Sequence, residues 1–284
     1  MKILVIMGPT ASGKSAWALE KARALGGEIR YETRVTDVAD HALFVDGAEE
    51  KSEIGHHLVG CFPFSEKIDV YRYVKLADAA IREIAGRGKL PIICGGTGFY
   101  IKALLRGLDD LPGDNALRKE LDDRYDSEAG YGALVEKMAE LDPRALEKWR
   151  FCRRKLIRAL EVVTLSGKSI LDLQTRADAP LRYEADACRI EMVPDKLRER
   201  IVARAEKMLD SGWIDEARQA ISAGLLESPT AWQAIGYADI GKYLRGEFDR
   251  KTLLESIVSA SCRYARRQRT WFRHQHPEAK VIEF

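Results

Sequence analysis

Gly8, Pro9, Thr10, Ala11, Ser12, Gly13, Lys14 and Ser15 match the spacing GxxxxGK[ST] at every fixed position. Such a loop does one thing well. Its glycines let the backbone curl until the N–H groups converge on phosphate oxygens, and the following helix adds its positive dipole end. Lys14 supplies a mobile positive charge, and the Ser15 hydroxyl suits Mg²⁺ held beside the phosphates. A chance match in an ordinary βα turn is the competing reading. The flanks argue against it, with an apolar run over residues 3–7 before the loop and helical periodicity over about 14–25 after it. The loop does not choose a reaction, since kinases, NTPases and diphosphate-dependent transferases all use it.

A second glycine loop follows another buried-strand pattern. Residues 90–94 are almost wholly apolar and lead into Gly95, Gly96, Thr97 and Gly98. A kinase or hydrolase would usually place an acidic residue there to hold Mg²⁺ or its water. Here a glycine pair allows close approach of a ligand, and Thr97 offers a hydroxyl; the alternative role for Thr97 is a helix N-cap.

Two basic clusters stand apart from the glycine loops. One comprises Arg150, Arg153, Arg154, Lys155 and Arg158. The other comprises Arg263, Arg266, Arg267, Arg269 and Arg273, interleaved with Tyr264, Trp271 and Phe272 in a stretch, 256–277, that contains no acid. At 100° per residue the second set spans roughly 160° of one helix face. This is a candidate phosphate-backbone surface with aromatics for stacking or anchoring; a solvated helix face is the plainer reading.

The whole chain sets bounds on these motifs. Its 284 residues carry a formal net charge of +2, so nucleic-acid affinity must come from local patches. The five cysteines are widely spaced and form no CxxC pair, which argues against zinc and disulfides and for a cytoplasmic setting. No apolar run approaches membrane-span length, and a monomer without membrane association is expected.

The elements that must position the motifs alternate. Strands are expected at 3–7, 28–31, 57–61, 90–94, 189–193 and 281–284. Helices are expected at 14–25, 69–87, 98–105, 194–224 and 237–274, with mostly helical sequence over 117–173 broken near Gly130, Asp142 and Gly167. Residues 37–55 read as loop with a short hairpin at Asp46 and Gly47. This is an α/β fold: a doubly wound parallel sheet built on a P-loop core, 1–112 and 180–284, with an inserted all-helical domain at 113–179.

Taken together, the motifs resemble the tRNA dimethylallyltransferase (tRNA isopentenyltransferase) family. The resemblance rests on the P-loop, on Gly26-Gly27-Glu28-Ile29, on His56-His57-Leu58, and on Leu90-Pro91-Ile92 leading to Gly95-Gly96-Thr97-Gly98-Phe99-Tyr100. It continues through Arg158-Ala159-Leu160-Glu161-Val162, Ala234-Ile235-Gly236-Tyr237, and the stretch from Arg263 to Arg273. It implies that dimethylallyl diphosphate lies in the P-loop, held by Lys14, Ser15 and Mg²⁺ with help from Thr97. It also implies that the exocyclic amine of the adenine next to the anticodon attacks the allylic carbon. The helical insertion would contact the tRNA anticodon arm through Arg154, Lys155 and Arg158, and the last long helix would contribute Arg263, Arg266, Arg267 and Arg273.

The chain departs from that pattern in several places. The family's Asp-Ser-x-Gln-Val-Tyr segment is replaced by Thr33-Arg34-Val35-Thr36, so the Asp that serves as presumed general base is absent; Glu32 and Asp37 are the nearest carboxylates. Gln233 and Ala238 stand where the family has Arg, Lys155 replaces another Arg, and the usual His-Pro-Asn-Asp before it is missing. The expected activity is therefore prenyl transfer to tRNA, impaired or altered. The alternatives are a catalytically silent tRNA- or nucleotide-binding relative, and a small-molecule P-loop kinase or adenylate isopentenyltransferase.

Overall fold

The computed structural model describes residues 1–34, 56–59, 63, 66, 69–176, 179–228 and 231–284. Contacts divide the chain into two units, Met1–Leu105 with Leu181–Phe284, and Arg106–Pro180.

In the first unit β1 (Lys2–Met7) is buried from Ile3 onward and runs into the P-loop and α1 (Lys14–Leu25). Gly26 ends that helix in the left-handed conformation, φ 62°, which only glycine adopts cheaply. Gly27 opens β2 (Gly27–Arg34) for a different reason: a Cβ there would lie 2.8 Å from both Ile92 Cδ1 and the Leu90 carbonyl oxygen of the neighbouring strand. β3 (His56–Val59) follows, then α2 (Val70–Gly86), whose first turn is capped by the Asp69 carboxylate accepting from Arg72 N at 2.9 Å. β4 (Leu90–Gly95) leads to α3 (Gly98–Arg106).

The second unit is helical: α4 (Asn115–Arg124), α5 (Glu128–Leu141), α6 (Pro143–Trp149), α7 (Arg153–Ser166) and the short α8 (Ile170–Leu173). Its core gathers Leu121, Leu134, Met138, Leu156 and Leu160. The break expected near Gly130 lies at Tyr125–Ser127. Gly130 sits inside the first turn of α5, its N–H donating to the Ser127 hydroxyl, and a Cβ there would press on the Arg124 carbonyl.

The chain returns to the first unit with β5 (Glu184–Glu191), then α9 (Pro194–Asp210), α10 (Trp213–Ser222), α11 (Tyr237–Leu244), α12 (Arg250–Gln275) and β6 (Lys280–Glu283). Here two expectations are corrected. The run 194–224 is two helices, split where Gly212 takes φ 97°, and 237–274 is split before Asp249, whose side chain caps α12. β5 begins five residues before the expected 189. Its amino-terminal half alternates with acids, which hides it from an apolar-run search, yet it pairs with β1 from Lys2↔Glu184 onward.

Among the described residues six strands form one parallel sheet, in the order β3-β2-β4-β1-β5-β6. Alternate residues of β1 face opposite layers: Ile3, Val5 and Met7 pack with Tyr73, Ile81, Ile101 and Phe272, while Leu4 and Ile6 pack with Ala18, Leu19 and Ile92. Burial on both faces is why β1 reads as an unbroken apolar run. The register Met7↔Gly95 brings the carboxyl ends of β1 and β4 side by side, so the two glycine loops leave the same edge of the sheet. Ligands of open α/β sheets bind along that edge.

Candidate functional site

The P-loop has the backbone its sequence demands. Gly13 lies at φ 87°, and Ala11 is the one non-glycine residue at positive φ among the described residues, at 60°. A non-glycine residue there is strained by about 1–3 kcal/mol, and such strain concentrates where backbone N–H groups are turned to a purpose. Gly8 is needed for packing: a Cβ would come within 3.0 Å of Ser12 Oγ and 3.1 Å of Ile190 Cβ. Ser12 is fully buried, and its hydroxyl has no hydrogen-bond partner among the described residues. Lys14 Nζ donates to the Pro9 carbonyl at 3.1 Å, which keeps the ammonium against the loop it serves. Ser15 is half-buried in the first turn of α1, where a hydroxyl suits Mg²⁺.

The second loop is tied directly to the first. Gly8 N donates to the Gly95 carbonyl at 3.3 Å. More tellingly, the Gln268 side chain bridges both loops: its Oε1 accepts from Thr10 N at 2.9 Å, and its Nε2 donates to the Gly96 carbonyl at 2.9 Å. Gln268 lies on the inner face of α12 and is only 6% exposed. Gly96 is glycine because a Cβ would sit 2.4 Å from that Nε2, and Gly98 because a Cβ would sit 1.9 Å from Trp271 Cδ1. Thr97 is half-buried, and its carbonyl accepts from Tyr100 and Ile101, so its backbone starts α3.

Two partners of the P-loop had no signal in the local sequence. One is Gln268, far along the chain from Thr10. The other is Arg200 on α9, whose Nη1 donates to the Ser12 carbonyl at 3.3 Å and packs against Gly13. Helical phase gives a partial hint for Gln268: with Ala265 and Phe272 it forms the buried side of α12, opposite the arginine face.

Among the candidate RNA contacts, Arg154, Lys155, Arg263, Arg266, Arg267 and Arg273 are exposed. Lys155 Nζ lies 5.8 Å from the Trp149 ring, Arg267 lies 5.7 Å from the Tyr264 ring, and Arg263 donates to Ser259 Oγ. Arg158 and Arg273 are paired with acids of the same chain, Arg158 half-buried and Arg273 with half of its side chain still exposed. Arg158 donates to the fully buried Glu161 at 2.7 Å and to the Pro112 carbonyl; Arg118 completes the pairing with Glu161. Burial alone would push the Glu161 carboxyl up, but bonds from Arg118, Arg158 and the Asp114 amide hold it below its ordinary value. Arg273 grips Glu191 at the end of β5 with two guanidinium nitrogens, and that contact holds the Glu191 carboxyl low. Glu32 lies in the backbone of β2, one residue past the pair Tyr31↔Cys94, at the carboxyl edge of the sheet. The side chains of Glu32 and Thr33, and all of Asp37 and the 37–55 segment with its hairpin at Asp46 and Gly47, lie outside the described residues.

A six-stranded parallel sheet with this glycine loop after an inner strand, braced by a second glycine loop, defines an α/β protein of the open parallel-sheet class. Comparison with known proteins narrows the class. A family model described as IPP transferase matches residues 46–275. The chain is 39% identical over 286 residues to the tRNA dimethylallyltransferase of Anaeromyxobacter dehalogenans, covering 99% of this chain and 93% of that protein. It is 37% identical over 281 residues to tRNA dimethylallyltransferase 1 of Trichlorobacter lovleyi, covering 96% and 91%. The crystal structure of the full-length tRNA isopentenylpyrophosphate transferase of Bacillus halodurans matches with TM-score 0.71 at 32% identity, over 99% of this chain and 89% of that one. The fold also matches that of a eukaryotic dimethylallyltransferase, with TM-score 0.81 at 22% identity, over 99% of this chain and 73% of that one. This chain belongs to the IPP transferase family, whose members here are tRNA dimethylallyltransferases, and it is a transferase.

Proposed function

We propose that this chain transfers a dimethylallyl group from dimethylallyl diphosphate to the exocyclic amine of the adenine next to the anticodon of tRNA. The observation that carries the reading is the pair of braced glycine loops at one sheet edge, a phosphate cradle in a chain of this family. In the reaction the amine nitrogen bonds to the allylic carbon. The carbon–oxygen bond to diphosphate breaks, and the bonding electrons leave with the diphosphate. The protein's task is to stabilise charge growing on that leaving group. Lys14, the loop amides and the helix dipole of α1 do this, with Thr97 beside them. Ser15 would hold Mg²⁺, which supplies further neutralisation of the diphosphate when bound.

The amine must also lose a proton. Glu32 is the carboxylate we assign to receive it, because it is the acid adjacent in the chain to Thr33, which stands at the family's Asp position. Reaching a base in a stem-loop requires flipping it from its stack, and the exposed cations Arg154, Lys155, Arg263, Arg266 and Arg267 are our assigned phosphate-backbone contacts. The test is incubation with unmodified tRNA and labelled dimethylallyl diphosphate. Label accumulating in tRNA over many turnovers supports the reading. Tight tRNA binding with no transfer refutes it. An unchanged rate in Glu32→Ala would remove Glu32 as the base.

A further inference from the structure

Phe151 is 98% exposed, more than any other large hydrophobic residue described. It occupies the tip of the turn between α6 and α7, and that turn is held rigidly. Cys152 N donates to the Trp149 carbonyl at 2.8 Å, and the Tyr131 hydroxyl donates to the Arg150 carbonyl. Arg153 anchors the far side through the Tyr125 and Asp122 carbonyls and an ion pair with Asp126. A phenyl ring shown to water on a braced turn loses little entropy on meeting a partner.

Its surroundings select the partner. No acid occurs between Lys148 and Leu160, and Arg150, Arg154 and Lys155, within four residues of Phe151 in the chain, are exposed. The nearby Trp149 ring is approached by the ammonium groups of Lys148 and Lys155, at 5.6 and 5.8 Å, whereas Phe151 remains uncovered. Cations flanking a bare aromatic ring match a polyanion that carries flat apolar faces. The α7 amino terminus also has three basic residues in its first turn and no acid, against the helix dipole. That charge arrangement is unfavourable alone and is relieved by phosphate.

We propose that Phe151 is a stacking platform for an unpaired base of RNA. The surrounding cations would hold the backbone on either side of that base. The partner follows from the tRNA reading above, but the site lies wholly in the helical unit and contributes binding rather than chemistry.

The test is the affinity of the full chain for an unmodified tRNA transcript, followed by fluorescence anisotropy over a salt series. Phe151→Ala should weaken binding about 10- to 100-fold with the salt slope unchanged, because stacking releases no counterions. Phe151→Trp should restore affinity and Phe151→Leu should not, since a leucine keeps apolar area without a π face. Arg154→Ala should instead reduce the salt slope by about 1. All four variants alter exposed positions and should unfold at the wild-type midpoint. Affinity of Phe151→Ala within twofold of wild type at every salt concentration overturns the proposal, and so does full rescue by Leu. Prenyl transfer to tRNA with no effect of Phe151 would sink the stacking site and leave the enzyme reading intact. Stacking behaviour without transfer would do the reverse.

Discussion

Replacing Gln268 by leucine tests whether one buried amide builds the proposed diphosphate site. The side chains are close in volume, so no large cavity is created. What is lost is the bridge: Thr10 N–H and the Gly96 carbonyl each lose a partner at 2.9 Å. A buried polar group left unpaired costs about 1–3 kcal/mol. The Gly96 bond is buried and the Thr10 bond only partly so, which places the sum near 2–4 kcal/mol. With a urea dependence of about 1–3 kcal/mol per molar, the unfolding midpoint of the variant should fall by about 1 M. Inorganic pyrophosphate should also bind more weakly, since the two loops are no longer held in register. Gln268→Glu adds a readout that packing alone cannot produce. Its ionised carboxylate still accepts from Thr10 but faces the Gly96 carbonyl oxygen with no proton. Burial and that repulsion raise its folded-state pKa, so the variant's deficit should be largest at high pH and shrink as pH falls through the raised value. Isothermal titration with pyrophosphate and urea unfolding, each across pH, measure both effects. Wild-type midpoint and affinity in Gln268→Leu would refute the reasoning, as would a pH-independent deficit in Gln268→Glu.

Further outcomes follow from the same geometry. Lys14→Ala should cut pyrophosphate affinity and prenyl transfer by about 10²–10³-fold while leaving tRNA affinity near wild type, measured by calorimetry and anisotropy. Gly98→Ala places a Cβ 1.9 Å from the Trp271 ring and should destabilise by about 3 kcal/mol in urea unfolding; Trp271→Leu in the same chain should recover part of the loss rather than add to it. Glu161→Gln leaves Arg118 and Arg158 without their buried carboxylate and should cost about 2–4 kcal/mol, discounted for the partial exposure of both guanidiniums. Because the Glu161 carboxyl is held below its ordinary value of 4.5, its contribution is complete above that value and is lost as pH falls through and below it. The variant's unfolding midpoint should therefore fall less steeply than wild type between about pH 5 and pH 3.

Sequence alone settled whatever depends on neighbours along the chain. The GxxxxGK[ST] loop is contiguous, so its glycines, Lys14 and Ser15 mark it as the candidate site without any knowledge of the fold. The apolar runs of β1 and β4 disclose a sheet covered on both faces. The glycine loop after β4 is also contiguous, and the family resemblance gathers such segments in order. Boundaries failed where polar residues sit inside a strand, as in β5, or where a single glycine at positive φ cuts a helix, as at Gly212. Tertiary structure decided which side chains meet. Gln268 reaches Thr10 across a sequence separation of 258, a pairing invisible to periodicity. Arg273 looks like its basic neighbours in sequence, yet Glu191 at the end of β5 engages it, and Arg118 from another helix joins the local i,i+3 pair of Arg158 with Glu161. Phe151 lies among helices and charges that would let it be core or surface; only the path of the turn leaves it bare. Charge and motif are properties of the chain, whereas a guanidinium's availability depends on what the fold sets within three ångströms of it.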